Sequence, residues 1–417
     1  MKKINLLFIA FIAAFVFSCS TQEDAGLEQL ADEPTEEGVI KGSYIVTFNE
    51  DYLSSGRKGE PVFTDRNAKA AYSTRKTNTN NTRMNSFFKE NGISTDKVTH
   101  RYTSAISGFA AKLTTAEVDA LKSNSNIFSV EKDYIVEMQG FIVESVEKAA
   151  KNGGASNARQ TSECFVSRAG GSGNGAGKNT WVWVVDSGID LDHPDLNVVT
   201  NSNYAKSFVG GSANDANGHG THVAGIIGGI NNTIGGVGIS AGAAVVPVRV
   251  FGASGGSSSA TIIAGINHVA ANDISGDIAN LSLGGFYGSG CANGSAYRNS
   301  ISNLARTSKV AIAAGNDAQF AGNYQPACLG GSNVYTVASM TCNRSFSSFS
   351  NYGRAPIDWI ATGSSVKSTY LNGGYATLSG TSMATPVVAG IMHQRNSAPR
   401  NCGSVTRSGV SYPIACK

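Results

Sequence analysis

The stretch Thr180–Gly188, TWVWVVDSG, indicates how the larger part of this chain folds. Its run of apolar residues predicts a strand that is buried on both faces, which is typical of parallel sheets covered by helices. Similar strands are expected at Val245–Phe251 and Val310–Ala314, and apolar spacing predicts a helix over Ala260–Ala271. This alternation predicts an α/β fold with a mostly parallel sheet and helices on both faces. Catalytic groups in such folds lie at the carboxyl ends of strands, where Asp186 is found.

Length and composition limit the classes of function. The chain has 417 residues, which predicts two or three domains. Charged residues make up 15% and glycine occupies 49 positions, so we expect many tight turns and a surface rich in small polar residues. The net charge of +3 and the lack of a long basic run with interleaved aromatic residues argue against nucleic-acid binding.

Residues 1–19 have the pattern of an export signal. A basic start precedes an apolar run from Leu6 to Phe17 that is too short to span a bilayer. The run ends at Ser18-Cys19, which resembles a bacterial lipoprotein cleavage site, although Phe17 occupies a position where a small or Leu-like residue is usual. We expect an exported protein, extracellular or held at the cell surface by a lipid on Cys19. An ordinary signal peptide with an incidental cysteine is the alternative.

Three further segments precede the parallel-sheet region. Residues 20–39 are acidic and polar, which predicts a flexible spacer. Residues 40–138 predict the order β, α, β, β, α, β of a small α+β, ferredoxin-like domain. Residues 139–179, rich in Gly, Ser, Asn and Lys, are expected to form a linker before the main domain at 180–417. The elements expected in the small domain are a strand at Ser43–Phe48, a helix around Met84–Asn91, two strands within His100–Leu113, a helix at Thr115–Ser123 and a strand at Ile127–Val136.

Two segments of the main domain carry polar residues at predicted helix starts. They are Asn217–Gly225, NGHGTHVAG, and Gly380–Pro386, GTSMATP. A serine hydroxyl is a weak nucleophile unless an imidazole takes its proton and a carboxylate orients that imidazole. Asp186, His219 and Ser382 supply these groups in the chain order Asp, His, Ser. A helix that starts at the serine would also direct backbone N–H groups at developing negative charge.

These segments resemble the signature blocks of the subtilisin-like serine proteases, the subtilases, and most closely the branch that includes proteinase K. The resemblance extends from about Thr180 to Ile391. It implies a serine endopeptidase that cleaves protein or peptide substrates through an acyl-enzyme. In that reaction Asp186 would orient His219, His219 would act as general base and acid, and Ser382 would be the nucleophile.

The same resemblance covers the groups around the reacting bond. Ala313–Asn316, AAGN, resembles the oxyanion segment, so Asn316 would donate its side-chain amide to the tetrahedral intermediate, beside the Ser382 N–H. Asn280–Gly285 resembles the strand of the primary specificity pocket, and its glycines suggest large apolar or aromatic residues before the scissile bond. Gly255–Ser257 resembles an edge segment that pairs with extended substrates. The substrate-binding residues implied are Gly255, Gly256, Ser257, Ser282, Leu283, Gly284, Ala313 and Gly315.

By the same resemblance, residues 40–138 form a propeptide that assists folding and inhibits the enzyme. Its last strand would feed the chain into the active site, so self-cleavage is expected between Gln139 and Gln160. If Cys19 anchors the propeptide, this cleavage would free the protease from the membrane. Most members of the family are monomers, and we expect a monomer here.

Two regions resemble structural calcium sites of the family, and calcium prefers oxygen ligands. Ile230–Gly236, INNTIGG, resembles the loop of a tight site in bacterial subtilisins, with a plain surface loop as the alternative. Asp358 and its neighbours resemble a site of proteinase K. The ligands implied are Asp195, the Asn232 side chain and the carbonyls of Ile230, Ile234 and Gly236 at the first site, with Gln160 as a further candidate, and Asp358 with the carbonyls of Ser332 and Val334 at the second.

Cysteine usage agrees with export. Without Cys19, six cysteines remain, an even number that predicts disulfides. Six cysteines allow 15 pairings, and sequence alone does not choose among them. Cys291 with Cys328 and Cys402 with Cys416 are the pairs that we consider first.

The chain departs from the family pattern at several positions. Glu163–Val166, ECFV, stands where the family usually has a Trp-Gly-Leu-like segment. Val387 replaces a histidine that is frequent in the proteinase K branch. Val223 replaces a cysteine, so thiol sensitivity from that position is not expected.

Other functions account for these residues less well. A non-catalytic binding protein on the same scaffold would be expected to lack a catalytic position, and the triad and Asn316 are all present. An esterase would need a G-x-S-x-G elbow and the order Ser, Asp, His. A zinc pair at His219 and His222 would need a third ligand, such as the Glu of HExxH, so His222 is expected to be a packed structural histidine.

Overall fold

The computed structural model describes residues 38–53, 59–138, 140–148, 160–286, 291 and 294–417. The export signal, Cys19 and nearly all of the acidic spacer lie outside the described residues. Gly38–Lys417 form one compact unit. No helix within the described ranges is both long and apolar enough to cross a membrane.

The small N-terminal domain has the predicted order of elements, but its first helix is much longer than expected. The elements are β1 (Val39–Phe48), α1 (Arg66–Glu90), β2 (Val98–Thr103), β3 (Ser107–Lys112), α2 (Thr115–Lys122) and β4 (Ile127–Glu137). The middle of α1, residues 77–82 (TNTNNT), consists of Asn and Thr, which have low helix propensity. Packing of Met84, Phe87 and Phe88 into the domain core stabilises the helix, and Asp65 caps it by accepting a hydrogen bond from the Ala68 N–H at 2.7 Å.

The large domain is built around one sheet. Its elements, with one strand that precedes it, are β5 (Ile142–Glu147), α3 (Cys164–Arg168), β6 (Gly173–Asn174), β7 (Val182–Asp186), β8 (Asn197–Val198), β9 (Lys206–Ser207), α4 (His219–Gly228), β10 (Ser240–Ala241), β11 (Ala244–Arg249), β12 (Gly256–Ser258), α5 (Ser259–Asn272), β13 (Ile278–Leu281), β14 (Gly285–Phe286), α6 (Ala296–Leu304), β15 (Lys309–Ala313), β16 (Tyr324–Gln325), β17 (Val334–Met340), β18 (Ile357–Thr362), β19 (Val366–Tyr370), β20 (Gly374–Ser379), α7 (Thr381–Arg395), β21 (Arg400–Arg407) and β22 (Val410–Cys416).

The strand order of the large sheet is β21-β22-β18-β17-β15-β13-β7-β11-β8, and β9 also pairs with β11. Its neighbours are parallel except for the hairpin β21–β22. Val182 and Val184 pack with residues of α4 and α7, whereas Trp183 and Val185 pack with α5 and α6. The predicted α/β class, with a mostly parallel sheet and helices on both faces, is therefore confirmed. Because β7 lies between β11 and β13, the direction of winding reverses at its carboxyl end.

The small domain covers the helices on one face of the large domain. Its strands have the order β2-β3-β1-β4, and β4 also pairs antiparallel with β12, so the two domains share a sheet. Tyr102 and Ile106 of the small domain lie in the same apolar cluster as Ile262 of α5 and Ile301 of α6. The small domain therefore contributes to the core of the large one.

Residues 139–179, expected to be a linker, contain regular structure in their described part. Strand β5 pairs antiparallel with β20, although all of its side chains are exposed. A strand without a buried face shows no apolar periodicity, which is why its sequence did not reveal it. Helix α3 buries Phe165 and Val166, so the large domain begins before residue 180.

Three disulfides join distant and local segments. The pairs Cys291–Cys328 and Cys402–Cys416 are as predicted, with Cα atoms 5.6 and 6.0 Å apart. Cys164–Cys342, with Cα atoms 6.0 Å apart, joins α3 to the segment that follows β17. Its cysteines are separated by 178 positions, and no local pattern in the sequence links them.

Candidate active site

Asp186 lies at the carboxyl end of β7, where the winding of the sheet reverses. Its Oδ1 accepts hydrogen bonds from the Ser187 N–H at 2.7 Å and from His219 Nδ1 at 2.8 Å. The Asp186 and His219 side chains are fully buried. Because Nδ1 donates the proton in this bond, Nε2 of His219 is left as the basic nitrogen.

Helix α4 begins at His219 because the glycines beside it allow a close approach to β7. Gly218 has a φ of +104°, in the left-handed region that favours glycine. A Cβ on Gly220 would lie 2.1 Å from the carbonyl oxygen of Gly188. A larger residue at either position would move the imidazole away from Asp186.

Asp215 is a positioning residue that the sequence pattern did not reveal. Its carboxylate is buried and accepts hydrogen bonds from Ser187 Oγ at 2.9 Å, from the Gly218 N–H at 2.9 Å and from the Thr221 N–H at 3.0 Å. It therefore joins the turn after β7 to the start of α4. Its location just before a predicted helix was the available signal, but an Asp there commonly acts only as a cap.

Ser382 is the second residue of α7. Its Oγ donates to the carbonyl oxygen of Ser282 at 3.3 Å, and Ser282 Oγ donates to the Ser382 carbonyl at 2.9 Å. His219 Nε2 is buried and has no hydrogen-bond partner among the described residues. The structure thus joins Asp186 to His219, while the Ser382 hydroxyl points toward the segment that follows β13.

Asn316 follows β15, and α7 fixes its orientation. Its Oδ1 accepts hydrogen bonds from the Thr381 N–H at 2.8 Å and from Thr381 Oγ1 at 2.9 Å. Its Nδ2 donates to the carbonyl oxygen of Gly140 at 2.9 Å. Asn316 therefore holds one carbonyl of the segment that joins the two domains.

The described residues that flank Gly140 contact the candidate site from both sides. Before it, β4 pairs with β12, and the Met138 N–H donates to the Gly255 carbonyl at 2.8 Å. After it, the ring centroid of Phe141 lies 4.8 Å from that of His219, and β5 pairs with β20. Backbone pairing thus holds the chain on both sides of Gly140.

The other residues predicted to bind substrate differ in burial and in their hydrogen-bond partners. Gly256 and Ser257 pair with Glu137 and Val136 in the β12–β4 ladder. Leu283 buries its side chain in the core with α5 and α6, so only its backbone can contact a substrate. Ser282 is hydrogen-bonded to Ser382, and Gly284 is buried. Ala313 ends β15, and the Gly315 N–H donates to Thr381 Oγ1 at 3.2 Å.

Comparison with known proteins identifies the family. Residues 177–402, more than half of the chain, match the subtilase family, and residues 43–139 match the peptidase inhibitor I9 family. This chain belongs to the subtilase family. The small domain is accordingly an inhibitor-type propeptide, and the large domain is that of a subtilisin-like serine endopeptidase.

Several relatives are similar over most of this chain. An extracellular serine proteinase from Thermus sp. (strain Rt41A) is 36% identical over 301 residues, which cover 72% of this chain and 68% of the relative. A cuticle-degrading protease from Metarhizium anisopliae is 35% identical over 302 residues, which cover 71% of this chain and 72% of the relative. Alkaline serine exoprotease A from Vibrio alginolyticus is 34% identical, and the match spans 72% of this chain but only 53% of the relative. The crystal structure of a cold adapted subtilisin-like serine proteinase matches with a TM-score of 0.49 and 33% identity, over 59% of this chain and 90% of the other.

The first predicted calcium loop of this subtilase surrounds a buried carboxylate. Asp195 Oδ1 accepts a hydrogen bond from Asn232 Nδ2 at 2.7 Å, and its Oδ2 accepts one from the Tyr375 hydroxyl at 3.3 Å. Burial raises the pKa of Asp195 to about 6, although the hydrogen bonds from Asn232 and Tyr375 oppose this rise. In the part of the chain that the structure describes, no Lys or Arg pairs with this carboxylate. The backbone N–H groups of Gly236 and Ile230 also bond this carboxylate, so oxygen atoms of the loop would have to replace these donors for calcium to bind here.

Gln160 also lies at this loop, because its Nε2 donates to the Ile230 carbonyl at 2.7 Å. At the second predicted site, Asp358 Oδ2 accepts a hydrogen bond from the Thr336 N–H at 2.9 Å, near the start of β17. Burial raises the pKa of Asp358, while the Thr336 N–H and Arg354 act to lower it. Across the described ranges no group of three or more His, Cys, Asp or Glu side chains could hold a metal.

His222 is a structural histidine of this subtilase. Its Nε2 donates to the carbonyl oxygens of Val366 at 3.1 Å and Ala376 at 3.0 Å. Burial lowers the pKa of His222 to about 3.

The low pKa of His222 predicts a loss of stability in acid. The unfolded chain binds a proton at this residue below about pH 6.5, whereas the folded chain does so only near pH 3. The free energy of unfolding should therefore decrease as the pH is lowered through this window. The contribution of this residue is about 1 kcal/mol per pH unit. Urea denaturation of the Ser382→Ala chain near pH 6 and pH 5 measures the slope. His222→Gln in the same background should show a slope smaller by that amount, and equal slopes would contradict the assignment.

Proposed function

We propose that this subtilase is an exported serine endopeptidase, made as a zymogen that cleaves its own chain, with a catalytic triad of Asp186, His219 and Ser382 and with Asn316 as an oxyanion donor. The observation that carries the proposal is the 2.9 Å hydrogen bond from Asn316 Nδ2 to the Gly140 carbonyl. That carbonyl lies between two paired segments, so the chain occupies the cleft as a substrate would. The extracellular relative and the basic-apolar start of the sequence support export.

The bond to be cut is then Gly140–Phe141, which places a glycine before the scissile bond and not the large apolar or aromatic residue that the pocket segment suggested. His219 Nε2 takes the proton of Ser382 Oγ, and Oγ attacks the carbonyl carbon of Gly140. The carbonyl oxygen becomes negative and is stabilised by the Asn316 amide. Collapse of the tetrahedral intermediate breaks the bond to Phe141, whose nitrogen receives the proton from His219. Water then hydrolyses the acyl-enzyme by the same proton transfers and leaves a carboxylate on Gly140.

Ser382 must first rotate its hydroxyl from the Ser282 carbonyl toward His219 Nε2. The rotation exchanges a 3.3 Å hydrogen bond for one to a buried nitrogen that is otherwise unpaired. Pairing that nitrogen favours the rotation, because an unsatisfied buried polar atom costs free energy. Catalytic hydrogen bonds commonly tighten only when the reaction geometry forms.

The position of Gly140 predicts the first product of maturation. Purified full-length protein should yield a catalytic chain that begins at Phe141, which N-terminal sequencing measures. Ser382→Ala should stay uncut in the same calcium-containing buffer. A wild-type chain that remains intact, or a Ser382→Ala chain cut at the same bond, would count against self-cleavage.

Removal of the Asn316 amide should slow catalysis more than it weakens binding. We expect Asn316→Ala to lower kcat by about 10²–10³-fold with little change in KM, which is the loss of kcat known for this change in subtilisin itself. Hydrolysis of a peptide anilide by fully processed enzyme measures both constants. A thermal melt controls for the lost bonds to Thr381, and a change in KM alone would refute the oxyanion role.

We further propose that calcium stabilises the loop around Asp195 and the site at Asp358. A ligand at 100 times its Kd adds about 2.7 kcal/mol to stability, so EDTA should lower the Tm of the Ser382→Ala chain. Asp195→Asn and Asp358→Asn, tested separately, should each reduce the EDTA effect. An unchanged melting curve in EDTA would remove both sites.

We also propose that a lipid on Cys19 anchors the precursor and that cleavage at Gly140–Phe141 releases the catalytic domain. The motivation is the order of the segments along the chain. In membrane fractionation, the Ser382→Ala precursor should sediment with membranes, whereas the Cys19→Ser precursor and the processed wild-type enzyme should not. Processed activity that stays on membranes would refute release by this cut.

A further inference from the structure

Arg66, the first residue of α1, inserts its side chain into the large domain. Its Nη1 and Nη2 donate to the two carboxylate oxygens of Asp277 at 2.9 and 2.8 Å. Its guanidinium carbon lies 3.4 Å from the ring centroid of Trp181. Only 9% of the Arg66 side chain and none of the Asp277 side chain is exposed. A planar guanidinium suits this site because it can form paired hydrogen bonds and stack on a ring at the same time.

The large domain alone builds the site, which we call the guanidinium seat and define as Asn179, Trp181 and Asp277. The Asp277 carboxylate also accepts hydrogen bonds from the Trp181 N–H at 2.8 Å and from Trp183 Nε1 at 2.9 Å. The Asn179 carbonyl accepts a bond from Arg66 at 3.0 Å. Because both tryptophans hold Asp277 without help from the propeptide, the seat is preformed.

The guanidinium seat lies at the opposite end of β7 from the catalytic residues. Trp181 precedes β7, and Asp186 ends it. At a strand rise of about 3.3 Å per residue, roughly 16 Å separate the two. Cleavage of Gly140–Phe141 therefore leaves the contacts of Arg66 unchanged.

The propeptide contacts both ends of α5. At the N-terminal end, Asp133 Oδ1 accepts a hydrogen bond from the Ala260 N–H at 2.9 Å. At the C-terminal end, Arg66 Nη1 donates to the Asn272 carbonyl at 3.4 Å, and Ser73 Oγ donates to a carbonyl one residue earlier. Negative charge at the start of a helix and positive charge at its end both complement the helix dipole. These contacts do not involve the cleft.

We propose that the guanidinium seat is an exosite that retains the propeptide domain after its covalent link is cut, with Arg66 as the residue bound there. The strength of the Arg66 contacts then sets how fast the cut propeptide dissociates. The proposal rests on the proposed self-cleavage. Its physical basis is that loss of one partner from a buried, hydrogen-bonded charge pair acts mainly on the rate of dissociation.

The test follows maturation of the full-length protein. Gel electrophoresis measures cleavage, size-exclusion chromatography measures release of the propeptide, and a peptide anilide measures the onset of activity. Arg66→Ala should be cleaved at the same rate as wild type but release its propeptide on the order of 30-fold faster or more, with a shorter lag before activity. Arg66→Lys should be intermediate, because lysine lacks the fork and the stacking plane. Arg75→Ala, an exposed arginine of the same helix, should behave as wild type. Equal release rates for Arg66→Ala and wild type would overturn the proposal.

A second measurement does not depend on cleavage. In the full-length Ser382→Ala chain, Arg66→Ala should accelerate amide hydrogen exchange in the first turns of α1, while β4 stays protected by β12. Unchanged exchange in α1 would overturn the role of the seat. If wild-type protein is never cut but α1 responds in this way, self-cleavage fails while the binding of Arg66 stands.

Discussion

The buried hydrogen bond between His219 and Asp186 constrains the rest of the candidate active site. A carboxylate and an imidazole without exposed surface are tolerated only when they are paired, so β7 must end at Asp186 and α4 must begin at His219. Asp215 holds the start of α4 in place by accepting a hydrogen bond from the Gly218 N–H. Gly220 has no side chain, so α4 can pack closely against the turn that follows β7. Helix α7 packs in the same apolar cluster as α4, which brings Ser382 to the same edge of the sheet.

The positions of the candidate active-site residues could be predicted because each depends on a short local pattern. Asp186 ends an apolar run, and His219 and Ser382 begin helices rich in small residues, so a few neighbours in sequence indicate each position. The parts that were missed depend on partners far away in the chain. Strand β5 has no buried face and forms only because β20 offers an edge, and Arg66 and Asp277 are 211 positions apart.

The two domains are joined by more than the segment that crosses the cleft. Tyr102 donates its hydroxyl to the Ala260 carbonyl at 3.0 Å, and Asn267 Oδ1 accepts hydrogen bonds from the N–H groups of Ser104 and Ala105 at 2.7 and 2.9 Å. Together with the shared apolar cluster, these bonds make the propeptide part of the packing around α5 and α6. Loss of the propeptide therefore changes the solvent exposure of two helices, not only that of the cleft.

The outermost strands of the large sheet have a consequence for colloidal behaviour. At one edge, β8 and β9 have two residues each. At the other edge, β21 has an irregular register between Asn401 and Ser404 and carries the exposed Arg400. Short, bulged or charged edges resist pairing with a strand from another molecule. The ten-stranded sheet is thus a poor template for growth by strand addition, which protects a concentrated protein from fibrous aggregation.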